Sequence, residues 1–242
     1  PNISRWLQAR RLFWLLIFGL VHFYFIWRGD ILVLYSVAGF VAMACLRWQA
    51  KTQLVVGILG YLVGAIMFLG AMFFPYLVAE TDLGNQAVYA EMRGDLISQQ
   101  AQDLKDGVAE TAIIQGGTYA DFVRHNFAEH GAQPFATLFL FAFETLPMML
   151  IGMALYRMGL FDGGMDRRKV RLWGWIGVIA GSAMTLPIAL WAMGEGFTYW
   201  GTLAAFMGLS PLPRLPVLLG LIALLSLFGA HASGWLGQRG LA

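Results

Sequence analysis

The sequence predicts an all-α protein, a polytopic bundle of about six transmembrane helices with an extracytoplasmic helical segment. Hydrophobic residues make up 59% of the 242-residue chain and charged residues 12%, against roughly half and a quarter in a soluble domain. Mean hydropathy is +0.65. Apolar runs approaching the ~20 residues that cross ~30 Å of hydrocarbon recur along the chain. The net charge of +2 is too small to imply a nucleic-acid partner. Cys45, the sole cysteine, excludes an intrachain disulfide and a cysteine-based metal motif.

Three parts follow one another. Residues 1–78 read as a helical hairpin plus a third span. Residues 79–133 read as an extracytoplasmic amphipathic helical segment. Residues 134–242 read as three further spans with a basic cytoplasmic loop.

The first apolar stretch, 12–46, is broken only by Arg28-Gly29-Asp30. One helix of that length would run about 52 Å, so we expect two short antiparallel helices, 12–27 and 31–46, with the polar residues at the tip. Arg10 and Arg11 precede the run, but it ends in Trp27-Arg28-Gly29-Asp30 rather than a small-residue cleavage site, which argues against a signal peptide. The third span, 54–78, holds Gly60-x-x-x-Gly64, small residues that let helices approach closely.

Segment 79–133 carries Glu80, Asp82, Glu91, Asp95, Asp103, Asp106, Glu110, Asp121 and Glu129 against only Arg93, Lys105 and Arg124. Gly116-Gly117 divides it. Thr118 with Asp121 then reads as a capping box, and Tyr119, Phe122, Val123 and Phe127 follow a helical apolar period suited to a membrane surface. His125 and His130, five apart, do not match the i, i+4 spacing of zinc-binding helices. We expect no metal site and no cofactor: no phosphate loop, Rossmann glycine pattern or nucleophile elbow is present.

The fourth span, 135–158, is followed by Arg167, Arg168, Lys169 and Arg171. The fifth is 172–193. Residues 197–209 are apolar but short and read as a re-entrant or interfacial piece, ended by Ser210-Pro211-Leu212-Pro213-Arg214. The sixth is 215–236. With the N-terminus in the cytoplasm, Arg5, Arg10, Arg11, Arg47, Lys51, Arg157, Arg167, Arg168, Lys169, Arg171 and Arg239 lie inside. Arg28, Arg93, Lys105, Arg124 and Arg214 lie outside, and this imbalance favours that topology.

Ionisable groups at membrane depth are costly and mark function. Glu144, in the fourth span, and His22, in the first, are the candidate catalytic pair: His22 as general base, Glu144 as orienting or substrate-binding carboxylate. Ser36 falls at the depth of His22, about 9 Å below the tip, so Arg28, Asp30, Tyr35, Ser36 and Thr145 complete a candidate substrate-binding set. A turn and helix-end role competes for Arg28 and Asp30. Thr145-Leu146-Pro147 and Thr185-Leu186-Pro187 repeat one tripeptide in consecutive spans. They read as kinks, or alternatively as the broken helices of a transporter.

Arg10-Arg11-Leu12 through Gly19-Leu20-Val21-His22 to Gly29-Asp30-Ile31-Leu32 and Tyr35, with 143–157 and Gly116-Gly117-Thr118-Tyr119-Ala120-Asp121, resembles the YeiB-like family of bacterial inner-membrane proteins. The resemblance covers most of the chain. Family members begin with a span bearing an Asp-x-x-Arg-Gly block and end with further spans opening on a Gly-Arg block. This chain resembles the middle portion. The resemblance implies kinship with transmembrane acyltransferases, whose reactive His comes from early spans; transport is the family's other suggested activity.

The expectation is therefore a multi-pass bacterial inner-membrane protein that handles an acyl or lipid-linked substrate in a membrane-embedded cavity. Its partners would be membrane lipids and an acyl donor, with further copies or flanking spans completing it. A transporter and a non-catalytic scaffold are the alternatives.

Overall fold

A computed structural model describes residues 2–232, with side chains at 5–138 and 142–228. Residues 233–236 of the expected sixth span, and Arg239, lie outside the described residues. The described chain is helical and contains no strand. Its α-helices are α1 (Asn2–Phe25), α2 (Leu32–Ala44), α3 (Ala50–Glu80), α4 (Ala90–Gly116), α5 (Tyr119–His130), α6 (Gln133–Arg157), α7 (Arg167–Gly194), α8 (Tyr199–Leu203) and α9 (Pro211–Ala232).

Each of the six expected runs falls largely within a helix, but three of the described helices are long and apolar enough to cross a membrane: Ala50–Glu80, Arg167–Gly194 and Pro211–Phe228. The second arm of the hairpin is too short. With the turn that follows it, the arm forms the apolar helix Leu32–Arg47, about 24 Å long at 1.5 Å per residue, less than the ~30 Å hydrocarbon thickness.

Two compact units form. Among the described residues, one comprises 2–63 together with Gly94–Ile151; the other comprises Gly64–Arg93 and 152–232.

In the first unit α1 and α2 make the expected hairpin, broken between Phe25 and Leu32. Gly19 sets the approach of its arms. A Cβ there would stand 2.7 Å from the Val33 backbone nitrogen and 3.0 Å from Asp30 Oδ2. Deeper in the hairpin the buried Ser36 hydroxyl donates to the Leu12 carbonyl at 2.6 Å. The predicted capping box is present at the start of α5: the Thr118 side chain accepts from the Asp121 N–H, and Asp121 Oδ2 accepts from the Thr118 N–H. These Thr118 bonds hold the Asp121 carboxyl below its ordinary pKa.

Helix α5 docks on the end of α1. The last carbonyls of a helix lack intrahelical partners. Here Asn126 Nδ2 donates to the Tyr24 carbonyl at 3.2 Å and the Tyr119 hydroxyl to the Phe25 carbonyl at 2.8 Å. Phe127 stacks on Tyr24 with centroids 4.3 Å apart. Thus part of the face that sequence assigned to a membrane surface instead closes a helix end.

In the second unit α7 and α9 pack antiparallel with their backbones nearly touching. A Cβ on Gly177 would stand 2.6 Å from the Pro216 carbonyl, and one on Gly220 2.6 Å from the Gly174 carbonyl. Helices α6 and α7 run unbroken through Pro147 and Pro187. The short apolar piece ends at Leu209, as expected, and α9 starts at Pro211 rather than at the expected 215. Pro211 and Pro213 sit where a helix's N–H groups have no partner to lose. The short piece before it is α8 followed by a π-helix, Ala204–Leu209.

Candidate functional site

The site in the first unit starts from a loop that turns back. After α1 ends, the His22 carbonyl accepts from the N–H groups of Ile26 and Trp27, at 2.9 and 2.8 Å. The chain then reverses, and Asp30 returns to the level of His22. His22 Nδ1 lies 3.0 Å from Asp30 Oδ1. The second oxygen, Oδ2, accepts from the Val33 N–H at 3.0 Å, in the first turn of α2. A carboxylate at a helix N-terminus is favoured by the unpaired N–H groups and by the helix dipole. The Asp30 side chain is 1% exposed and that of His22 32%.

This geometry has a chemical consequence. A carboxylate in its ionised form only accepts, and in that form the contact puts the ring proton on Nδ1 and leaves a lone pair on Nε2. A carboxylate so placed can fix the tautomer and ring orientation of a histidine and stabilise its imidazolium. Beside this dyad, the Trp27 ring meets His22 edge-on with centroids 6.2 Å apart. The indole lies against Gly29, where any Cβ would collide with it.

Arg28 binds elsewhere. Its Nη2 pairs with Glu110 of α4, and its Nη1 donates to His130 Nε2 at 2.6 Å. A guanidinium has no acceptor, so His130 is neutral in this contact, with its proton on Nδ1. Burial holds His130 below the ordinary imidazole pKa. Arg28 and His125 act in the same direction, and Glu110 and Glu129 oppose them. The His125 and His130 rings touch edge to face, centroids 5.5 Å apart. Sequence spacing had set them well apart. No group of three or more potential metal ligands occurs among the described residues.

A cleft of about 430 Å³ opens between the hairpin tip and the α4–α5 junction, lined by Ile26, Trp27, Arg28, Glu110, Ile113, Ile114 and Phe122 among others. Trp27 thus borders both the cleft and His22.

The structure brings His22 and Asp30 together. Loop closure over eight residues achieves this locally, without a second span. Ser36 does not share His22's level, because its hydroxyl is held at Leu12, ten residues earlier on α1. Tyr35 is exposed. Glu144 and Thr145 are half-buried on α6, just before Pro147. Sequence reasoning missed the link from Arg28 to Glu110 and His130, which join residues more than eighty apart and leave no local pattern. Asp30 had a usable signal: an Asp three residues before Val33 is the spacing of a helix cap.

Comparison with known proteins yields two curated relatives. The chain is 28% identical over 189 residues to the uncharacterised protein YeiB of Escherichia coli strain K12, covering 77% of this chain and 44% of that protein. It is 33% identical over 105 residues to the uncharacterised protein YxaH of Bacillus subtilis strain 168, covering 41% of this chain and 26% of that protein. The chain matches the YeiB-like family and spans less than half the length of either relative. No family model matches it, and no solved structure does.

Proposed function

We propose that this protein is an acyl-transfer enzyme of the bacterial inner membrane, with its N-terminus in the cytoplasm, and that the His22–Asp30 dyad is its reactive centre. The observation that carries the reading is the 3.0 Å contact between His22 Nδ1 and a buried Asp30 carboxylate. It leaves Nε2 free on a half-exposed ring. In this reading Nε2 removes the proton from an acceptor hydroxyl as that oxygen attacks an acyl carbonyl, then returns a proton to the leaving group. Glu144 and Thr145 bind substrate rather than orient His22. Transport finds less support, because neither α6 nor α7 is unwound at its proline.

The test is acyl transfer from labelled lipid or thioester donors in membranes holding the full-length protein, followed by mass spectrometry of the products. His22→Ala should lower the rate by about 10²-fold or more, the usual contribution of a general base. Asp30→Asn should lower it comparably by favouring the wrong tautomer. Transfer that survives His22→Ala unchanged refutes the assignment.

A further inference from the structure

We propose that the cleft at the hairpin tip holds one acyl chain of a zwitterionic membrane phospholipid, and that this lipid is the acyl donor to the His22–Asp30 dyad. The inference rests on the acyl-transfer reading above and names its substrate.

Three features point to this occupant. The first is the wall: Phe25, Ile26, Trp27, Ile113, Ile114 and Phe122 give an apolar lining to a volume of about 430 Å³, within the range of small-molecule sites. The second is the rim. Ile26 and Trp27 are each 63% exposed, Ile114 63% and Tyr119 64%. Large apolar side chains exposed together at the end of an apolar helix mark a membrane interface, where lipid chains are the abundant apolar solute. The third is charge. The lining contains one cation and one anion, Arg28 and Glu110, already paired. A lipid head with one phosphate and one ammonium complements that pair. The polyanionic head of a coenzyme thioester does not, because Glu110 already offsets the single guanidinium.

Trp27 connects the cleft to the chemistry, since it lines the cleft and abuts His22. The step balances without redox. The acceptor hydroxyl gives its proton to His22 Nε2, and its oxygen bonds to the ester carbonyl carbon of the lipid. The bond from that carbon to the glycerol oxygen breaks, and the glycerol oxygen takes the proton back from His22. The products are an acylated acceptor and a lysophospholipid.

The test uses the full-length protein in phosphatidylethanolamine vesicles doped with phosphatidylethanolamine carrying a photoactivatable diazirine in one acyl chain. Crosslinks should concentrate in residues 110–122, several-fold above the exposed residues Leu172, Trp173 and Ile176 of α7. Ile114→Asp should reduce them to the α7 level while hydrogen exchange shows α4 and α5 intact, and Ile114→Val should keep them. His22→Ala should leave labelling unchanged. Crosslinks spread evenly over the helices overturn the inference, as does equal labelling from a phosphatidylglycerol probe, which lacks the ammonium. If transfer requires His22 but proceeds from an acyl-coenzyme thioester and not from the phospholipid, the donor assignment fails and the dyad stands. If the cleft labels as expected but transfer ignores His22, the catalytic reading fails instead.

Discussion

Asp30 in the first unit and Glu80 in the second are both carboxylates that accept from N–H groups in the first turn of a helix, yet they are spent differently. Glu80 gives Oε1 to the Trp200 N–H at 2.9 Å and Oε2 to the Gly201 N–H at 3.2 Å and to the Thr198 hydroxyl. Both oxygens serve the N-terminus of α8. Asp30 gives one oxygen to α2 and keeps the other for a histidine ring. The same contrast holds for the packing around them. The second unit joins α7 to α9 through glycines at backbone distance. The first joins α5 and α4 to the hairpin through side-chain hydrogen bonds and an ion pair. Backbone contact admits one arrangement. Polar side-chain contacts keep protonation and partner exchange available, which is what a reactive site needs.

The comparison breaks most visibly at the glycines. Gly177→Leu or Gly220→Leu should destabilise the second unit by about 1–3 kcal/mol, the usual range for overpacking, because the new side chain meets backbone that cannot retreat. Gly70→Leu, at a position with no neighbour within 4 Å of an added Cβ, should be nearly neutral. Thermal unfolding in detergent micelles, with limited proteolysis to locate the change, reads both.

Next in size is Arg28. Removing it leaves Glu110, whose side chain is 19% exposed, without its cation. Arg28→Ala should loosen α4 and α5 by about 1–3 kcal/mol, seen as faster hydrogen exchange there with α7 and α9 unaffected. Arg28→Lys should recover only part, since an ammonium lacks the fork that reaches two partners. Uniform loss of protection in both units would erase the contrast.

A pH titration sharpens the same point. The folded structure holds His130 below the ordinary imidazole pKa of 6.5. Its neutral form therefore contributes stability that is fully present above about pH 6.5. That contribution is lost as pH falls through the lower folded-state value, because the released ring binds the proton more readily. Exchange in α5 should rise below pH 6.5, and His130→Gln, an uncharged acceptor for Arg28, should flatten the profile. A profile unchanged by His130→Gln would assign the dependence to another group.

The smallest effect belongs to Ser36→Ala. It removes one buried hydrogen bond to a carbonyl that lies inside a helix, so about 0.5–1.5 kcal/mol is expected, with the proposed acyl transfer unaltered. A loss of acyl transfer at constant stability would return Ser36 to the site.

Much of the local structure was legible. The hairpin break followed from a polar triplet inside a run too long for one crossing. The start of α5 followed from Thr118 and Asp121, because a capping box is a pattern four residues long. Other readings failed for the same reason that these succeeded. Ser36 was placed level with His22 by counting residues symmetrically from the tip, but the loop folds back and draws α2 deeper along α1. The sixth span was started at 215, but α9 begins at Pro211, because proline is well placed in the first turn of a helix. His125 and His130 were separated by counting positions around a helix, which leaves out the reach of the side chains that bring the rings to 5.5 Å.

By itself the sequence determined the helical, membrane-bound character of the chain, its apolar runs and its capped helix start, because each depends on neighbours within a few turns. Only the tertiary structure decided that Asp30 faces His22, that Arg28 joins Glu110 and His130, and that Gly177 and Gly220 bring two helices into backbone contact. Hydrophobic pattern sets the energy of placing a helix in a membrane, but it is nearly indifferent to rotation and register. Hydrogen bonds and close contacts of a few ångströms settle those, between residues that can lie anywhere in the chain.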